Sequence, residues 1–226
     1  MAFVRILCVS MITALSTLGS SSMALADDHT VTIYAWGDNY LTWEGGGSDW
    51  SNGIPGRLDA ALRAEGVAVH IQVVNFEQSR VALKWLTKYG VGKDLLAHPD
   101  DHAVIMQVGH LDCLDFAPDS LQQTGAHLDQ MLKVLSEKGI PVLVVGTGVL
   151  ATCASDYDKV GYQQMFGDLA TKYDALFYEN LLDGVAGNPD LLLPDGGGSP
   201  NASGDAVIAL RLLPFVEKLV ARAQKP

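Results

Sequence analysis

The chain has 226 residues, of which 48% are hydrophobic and 18% charged, and its 26 acidic against 15 basic residues give a net charge of -11 at pH 7. Such an acidic chain is repelled by nucleic acid and by anionic lipid surfaces, so neither is an expected partner. Neutral sugars or a protein fit this charge better, although the charge also serves simple solubility.

The first 26 residues have the features of a secretory signal peptide. Arg5 is followed by an apolar stretch from Ile6 to Leu15 and by the small-residue cleavage site Ala24-Leu25-Ala26. The apolar stretch has about ten residues, too few for a bilayer span of ~20, and no later segment has the pattern of a span. We therefore expect a periplasmic or secreted protein with a single domain over residues 27–226, a length that allows a well-buried core.

Strand and helix signals alternate along the rest of the chain, which predicts an α/β fold with a parallel sheet. Apolar runs predict strands at Val31–Trp36, Val67–Val74, Ala103–Val108, Pro141–Val145 and Ala175–Tyr178. Helical patterns cover Pro55–Glu65, Gln78–Tyr89, Asp119–Lys138, Lys159–Tyr173 and Ala206–Ala223. Glycines at 66 and 90 are expected to end the first two helices, and Pro214 to kink the last.

Four short polar segments carry the candidate site. They are Trp36-Gly37-Asp38-Asn39-Tyr40, Val73-Val74-Asn75-Phe76-Glu77-Gln78-Ser79-Arg80, Gln107-Val108-Gly109-His110-Leu111-Asp112 and Asp195-Gly196-Gly197-Gly198-Ser199-Pro200-Asn201. The first three follow predicted strands. Ligands of open parallel sheets bind outside the C-terminal ends of the strands, so Asn39, Asn75, His110 and Asp112 predict a cleft there.

In their order and spacing, the four segments resemble the catalytic blocks of the SGNH hydrolases, a family of serine esterases. In this resemblance Asn39 occupies the position of the nucleophilic serine. Leu111 occupies the position of the oxyanion-hole asparagine, and Ser199 that of the histidine base. Arg80 falls near the glycine of the second block. The resemblance implies the family fold, a flavodoxin-like three-layer sandwich with a central parallel five-stranded sheet.

The replaced residues cannot perform the family chemistry. The carboxamide of Asn39 is not deprotonated near neutral pH, and Leu111 has no hydrogen-bond donor. The last histidine of the chain is His127, so no histidine follows it to act as the C-terminal base. The sequence thus predicts a catalytically degenerate domain without a cofactor.

Two tryptophans, Trp43 and Trp50, lie in the segment after the first strand, where exposed rings would stack on sugars and enclosed rings would simply pack. The predicted ligand-binding set is Asp38, Asn39, Asn75, His110, Trp43 and Trp50. Asp38, Asp112, Asp115 and Asp195 gather near the same predicted edge, but no spacing among them matches a metal loop, so no metal is predicted. Turn and capping roles suit most of these acids better.

Cys8 would leave with the signal peptide, which leaves two cysteines in an oxidising export route. Cys113 and Cys153 each follow a predicted strand at the same end of the sheet. A disulfide between them is expected, with two separate thiols as the alternative.

Three functions are compatible with these features. The first is a degenerate accessory factor in making or modifying an exopolysaccharide. Secreted members of the family are often linked to glycan acylation or deacylation. The chain also resembles an SGNH-like protein of bacterial cellulose-synthase operons. Its partners would be a polysaccharide or the glycan-synthesis machinery. The second is an active carbohydrate esterase or acyltransferase with Ser199 as nucleophile, His110 as base and Asp112 or Asp195 as the orienting acid. The third is a protein-binding scaffold.

Overall fold

The computed structural model describes residues 30–37, 41, 51–75, 78–88, 90–108, 110–113, 121–146, 159–194 and 198–225. Its centre is a five-stranded parallel sheet in the order β2-β1-β3-β4-β5. The strands are β1 (Val31–Gly37), β2 (Val69–Asn75), β3 (His102–Gln107), β4 (Val142–Val145) and β5 (Leu176–Tyr178). The helices are α1 (Ile54–Ala64), α2 (Ser79–Lys88), α3 (Gly90–Ala97), α4 (Leu121–Glu137), α5 (Lys159–Lys172) and α6 (Ala202–Ala223), with short 3-10 turns at His110–Cys113 and Pro189–Leu191. The predicted α/β fold with a parallel five-stranded sheet is confirmed.

Each face of the sheet is covered by its own group of helices, because successive side chains of a strand point to opposite faces. Ile33 and Ala35 of β1 pack with apolar residues of α1 and α6. Tyr34 and Trp36, which alternate with them, pack with apolar residues of α2, α4 and α5. The sheet is therefore the middle layer of a three-layer sandwich.

Helix α3 differs from the sequence prediction, in which Gly90 ends the helix over Gln78–Tyr89 and no helix follows it. In the structure Gly90 is the first residue of α3. A Cβ at the neighbouring Gly92 would lie 2.5 Å from the carbonyl oxygen of Trp85 and 2.6 Å from the Cα of Leu86. Glycine at 92 allows α3 to approach the backbone of α2 closely, so glycine in this segment is needed for packing between the helices as well as for ending a helix.

Helix α6 begins at Ala202, four residues before the predicted start at Ala206. It continues through Pro214 as one helix of 22 residues, so the expected kink does not interrupt it. Within the described ranges, no helix combines the length and the apolar character needed to cross a membrane. The predicted signal peptide, residues 1–26, lies outside these ranges.

Strand β2 lies at one edge of the sheet, and none of the described strands pairs with its outward backbone groups. A side chain of α1 bonds to one of these groups: the N–H of Ile71 donates to Asp59 Oδ1 at 2.9 Å. The other oxygen of Asp59 accepts from Arg63 Nε at 2.7 Å. The same carboxylate thus holds α1 against the sheet and covers part of its edge.

Candidate functional site

Three residues lie side by side at the C-terminal edge of the sheet. Gly37 of β1 pairs in register with Asn75 of β2 on one side and with Gln107 of β3 on the other. This is the edge at which parallel α/β sheets bind ligands. The structure thus places the C-terminal ends of β1, β2 and β3 side by side.

Gly37 is required by packing and not by chemistry. A Cβ at this position would lie 2.8 Å from the Cβ of Leu41 and 3.1 Å from the carbonyl oxygen of Gln107. The first block therefore keeps its glycine for steric reasons. Asp38, Asn39, Tyr40, Trp43 and Trp50 lie outside the described residues, and their proposed roles in binding stay predictions.

Asp112 connects the third block to the second. It lies in the 3-10 turn His110–Cys113 and is fully buried. The backbone N–H of Ser79, the first residue of α2, donates to its two carboxylate oxygens at 3.0 and 3.3 Å. A negative charge at a helix N-terminus is favourable, because the first backbone amides there have no partner in the helix. This bond gives Asp112 a structural reason to be present even without catalysis.

Ser79 has a second contact that the sequence did not predict. Its Oγ lies 2.9 Å from Nδ1 of His127, which is on α4. Serine, histidine and aspartate together suggest a catalytic triad, but two observations oppose one. Ser79 is fully buried. Asp112 accepts a bond from the backbone amide of Ser79, whereas the carboxylate of a triad orients the imidazole. The cluster instead joins α2, α4 and the 3-10 turn behind the site. Its members are separated by 33 and 48 residues, so no local pattern could have identified them.

The fourth block is held by Asn201. Its Oδ1 accepts from the N–H groups of Ser203 and Gly204, at 2.9 and 3.1 Å, and so caps α6. Its Nδ2 donates to the carbonyl oxygens of Asp190 and Leu192, at 2.9 and 3.2 Å. The side chain thus fixes both the start of the helix and the chain before it.

Ser199, at the histidine position of the family, is half-buried beside this cap, and its carbonyl oxygen accepts from the N–H of Leu193 at 2.8 Å. Pro200 forms an isolated antiparallel bridge with Leu192. Asp195 and the side chain of His110 lie outside the described residues. The rearranged group of Ser199, His110 and an acid therefore stays a prediction.

Gln107 is a site residue that sequence reasoning missed. It is fully buried at the end of β3, and within the described part of the chain neither its Oε1 nor its Nε2 has a hydrogen-bond partner. Asn75, its counterpart at the end of β2, is exposed.

Tyr178 ends β5 at the same edge of the sheet. Burial, and secondly the charge of Asp183, raise the pKa of its phenol. This phenol remains protonated and neutral at physiological pH.

The predicted disulfide involves Cys113, whose side chain lies outside the described residues, and Cys153, which lies there entirely, so it stays a prediction. Among the described residues, no group of three or more His, Cys, Asp or Glu side chains is placed to hold a metal ion.

No protein-family model and no curated protein matches the sequence. Solved structures do match. TesA is 21% identical with a TM-score of 0.70, over 83% of this chain and 99% of that one. AlinE4, an SGNH-hydrolase family esterase, is 26% identical with a TM-score of 0.61, over 87% and 98%. Est24, a carbohydrate acetylesterase from Sinorhizobium meliloti, is 16% identical with a TM-score of 0.63, over 84% and 100%. The chain has an SGNH-hydrolase-like fold, as the four blocks predicted.

Proposed function

We propose that the chain is an exported, catalytically degenerate SGNH-hydrolase-like protein that binds a neutral polysaccharide, as an accessory factor in making or modifying an exopolysaccharide such as cellulose. One contrast carries the proposal. In three of the four blocks, a residue that supports the backbone is kept, while the residue that would carry the chemistry is replaced.

The kept residues are Gly37, Asp112 and Asn201, which fill steric, helix-capping and loop-fixing roles. The replaced positions are Asn39, Leu111 and Ser199. Acyl transfer needs an activated nucleophile, a base within hydrogen-bond reach and donors directed at the developing oxyanion. Each of the three replacements removes one of these requirements, and Leu111 in particular carries no polar atom in its side chain.

A neutral glycan is the favoured ligand for two reasons. The chain has a net charge of -11, which opposes anionic ligands. Sugar recognition combines a few fixed polar groups with an apolar platform, and the first block supplies polar side chains close in sequence to Trp43 and Trp50. The likeness to Est24, named as a carbohydrate acetylesterase, supports the same ligand class.

The first test is hydrolysis of short-chain p-nitrophenyl esters by the protein that lacks residues 1–26. We expect turnover no faster than the buffer blank. Robust turnover that Ser199→Ala or His110→Ala abolishes would overturn the degenerate assignment and establish the rearranged esterase in its place.

The second test is calorimetric titration with cellohexaose. We expect weak binding that changes little with salt, because no ion pairing contributes to it. Trp43→Ala and Trp50→Ala identify the platform, and the matched variants Trp43→Phe and Trp50→Phe, which keep an aromatic ring, should retain most of the affinity. Absence of glucan binding in the wild type would favour the protein-scaffold function.

Export and pathway are tested separately. Expression of the full chain in a Gram-negative host should yield a periplasmic product that begins at Asp27, which intact-mass measurement detects. A cellulose or other glycan synthase gene beside this one would support the accessory role, whereas unrelated neighbouring genes would argue against it.

A further inference from the structure

We propose that the groove between α4 and α5 is a second sugar subsite, which binds the continuation of a glycan chain whose end lies in the cleft at the sheet edge. This inference rests on the proposed function, because it assigns further residues to the same ligand. It concerns a surface that none of the four blocks includes.

The groove has a volume of about 520 Å³. Its apolar lining consists of half-buried side chains, and its polar lining of exposed ones. The apolar residues are Leu121, Met165 and Leu169, the polar residues are Gln122, Gln164 and Asp168, and two glycines, Gly125 and Gly161, complete it. Pockets for small ligands commonly have this size and combine an apolar surface with a few polar groups.

The chemistry of the lining selects a neutral, hydroxyl-rich ligand. Each carboxamide of Gln122 and Gln164 offers two donors and one acceptor oxygen, which suits hydroxyl groups that both donate and accept. None of the lining residues is basic, so an anionic ligand finds no counter-charge. A pyranose ring presents C–H groups on its faces and hydroxyls at its edge, and so fits an apolar floor with polar rims.

The position of the groove links it to the cleft. Helix α4 follows β3 along the chain and α5 follows β4, so both helices start at the C-terminal edge of the sheet. Leu121 and Gln122, at the start of α4, and Gly161, near the start of α5, form the end of the groove at that edge. A glycan bound at this edge of the sheet, as the proposed function requires, would therefore meet the near end of the groove.

Gly125 lets the side chain of Met165 pack closely against α4. A Cβ at this position would lie 2.8 Å from the sulfur of Met165. Glycine inside a helix is unfavourable compared with alanine, so its presence here needs a reason in packing or function. Without a side chain at 125, the thioether of Met165 lies between the two helices and forms part of the floor.

A neighbouring groove between α5 and β5 is a weaker candidate. It is lined by Gln163, Phe177 and Glu179, among others, with a volume of about 400 Å³. There the amide of Gln163 already donates to Glu179 at 2.8 Å. Gln163 and Glu179 therefore satisfy each other, and the remaining polar residues, Gln164 and Asp168, also line the first groove.

The test compares a short and a long glucan. Cellobiose can occupy only one of the two subsites, whereas cellohexaose can span both. We expect the wild type to bind cellohexaose more tightly than cellobiose. The double variant Gln122→Ala/Gln164→Ala should bind cellohexaose about ten-fold more weakly, since each lost hydrogen bond contributes a few-fold in affinity. Its affinity for cellobiose should stay unchanged. Both glutamines are exposed, so the thermal melt of the variant should match that of the wild type.

Gln130→Ala is the matched control, because Gln130 is exposed on α4 but does not line the groove. It should leave both titrations unchanged. Equal affinity of the wild type for the two sugars, or an unchanged cellohexaose affinity in the double variant, would overturn the second subsite and leave the proposed function intact. Absence of binding to either sugar by the wild type would refute the proposed function and, with it, the subsite.

Discussion

Replacing Asn201 tests whether the fourth block is kept for structural reasons. Asn201→Ala removes the cap of α6, worth about 1 kcal/mol, and two donated bonds worth about 0.5–1.5 kcal/mol each when buried. The bond to Asp190 is exposed, and that to Leu192 is partly buried, so the lower part of this range applies. The expected loss is about 2–3 kcal/mol in the free energy of unfolding. For a domain of this size it corresponds to a fall in Tm of roughly 4–12 °C.

Two matched variants separate the contributions. Asn201→Ser keeps an oxygen acceptor at the cap but loses the two bonds donated by Nδ2, and should recover about 1 kcal/mol relative to alanine. Asn188→Ala, which removes a single exposed bond to the N–H of Asp190, should have a much smaller effect. Urea unfolding followed by circular dichroism gives each value. An alanine variant as stable as the wild type, or a serine variant no better than alanine, would refute the capping role.

Three further predictions concern the sheet edge, two enclosed polar groups and a surface ion pair. Gly37→Ala should lower stability by about 1–3 kcal/mol through overpacking, seen as a lower urea midpoint at unchanged m-value, and an unchanged midpoint would contradict the close contacts described. Gln107→Met should raise stability by about 1 kcal/mol, because it removes an enclosed amide without a partner in the described residues. Thr124→Val, which removes an enclosed hydroxyl that also has no partner there, should act in the same direction. A loss of stability in both variants would show that these groups are hydrogen-bonded in solution. The pKa of Asp129 is lowered below its ordinary value of 3.8, chiefly by the hydrogen bond from Lys172, so its contribution is present above pH 3.8 and is lost as the pH falls through the lowered pKa of the folded state. Asp129→Asn should therefore be slightly less stable than the wild type at neutral pH, with the difference disappearing in strong acid, and a difference that grows towards low pH would show the sign to be wrong.

The architecture was predictable because the central strands are almost entirely apolar. Strands β1, β3 and β4 are buried on both faces, so nearly every residue in them is apolar, and the helices between them show helical spacing. The register and the order of the strands did not follow from these runs, because they depend on contacts between distant segments.

The candidate site was predictable only in outline. The turns at the strand ends were located from the sequence, but the bonds of Asp112 with Ser79, and of Ser79 with His127, join residues on different elements. Asn201 was visible as part of a block, but its capping role was not recognised, so the predicted start of α6 came too late. Gln107 was missed because a single glutamine near the end of a predicted strand gives no sign whether its side chain is enclosed.

The contact between Asp59 and the edge strand β2 hinders the pairing of that strand with a strand from another copy of the chain. A guest strand that tried to extend the sheet at β2 would have to displace the carboxylate from Ile71 and break its pair with Arg63. At the opposite edge β5 offers only three residues, too few for stable strand addition. Both features oppose pairing of the sheet edges between copies of the chain.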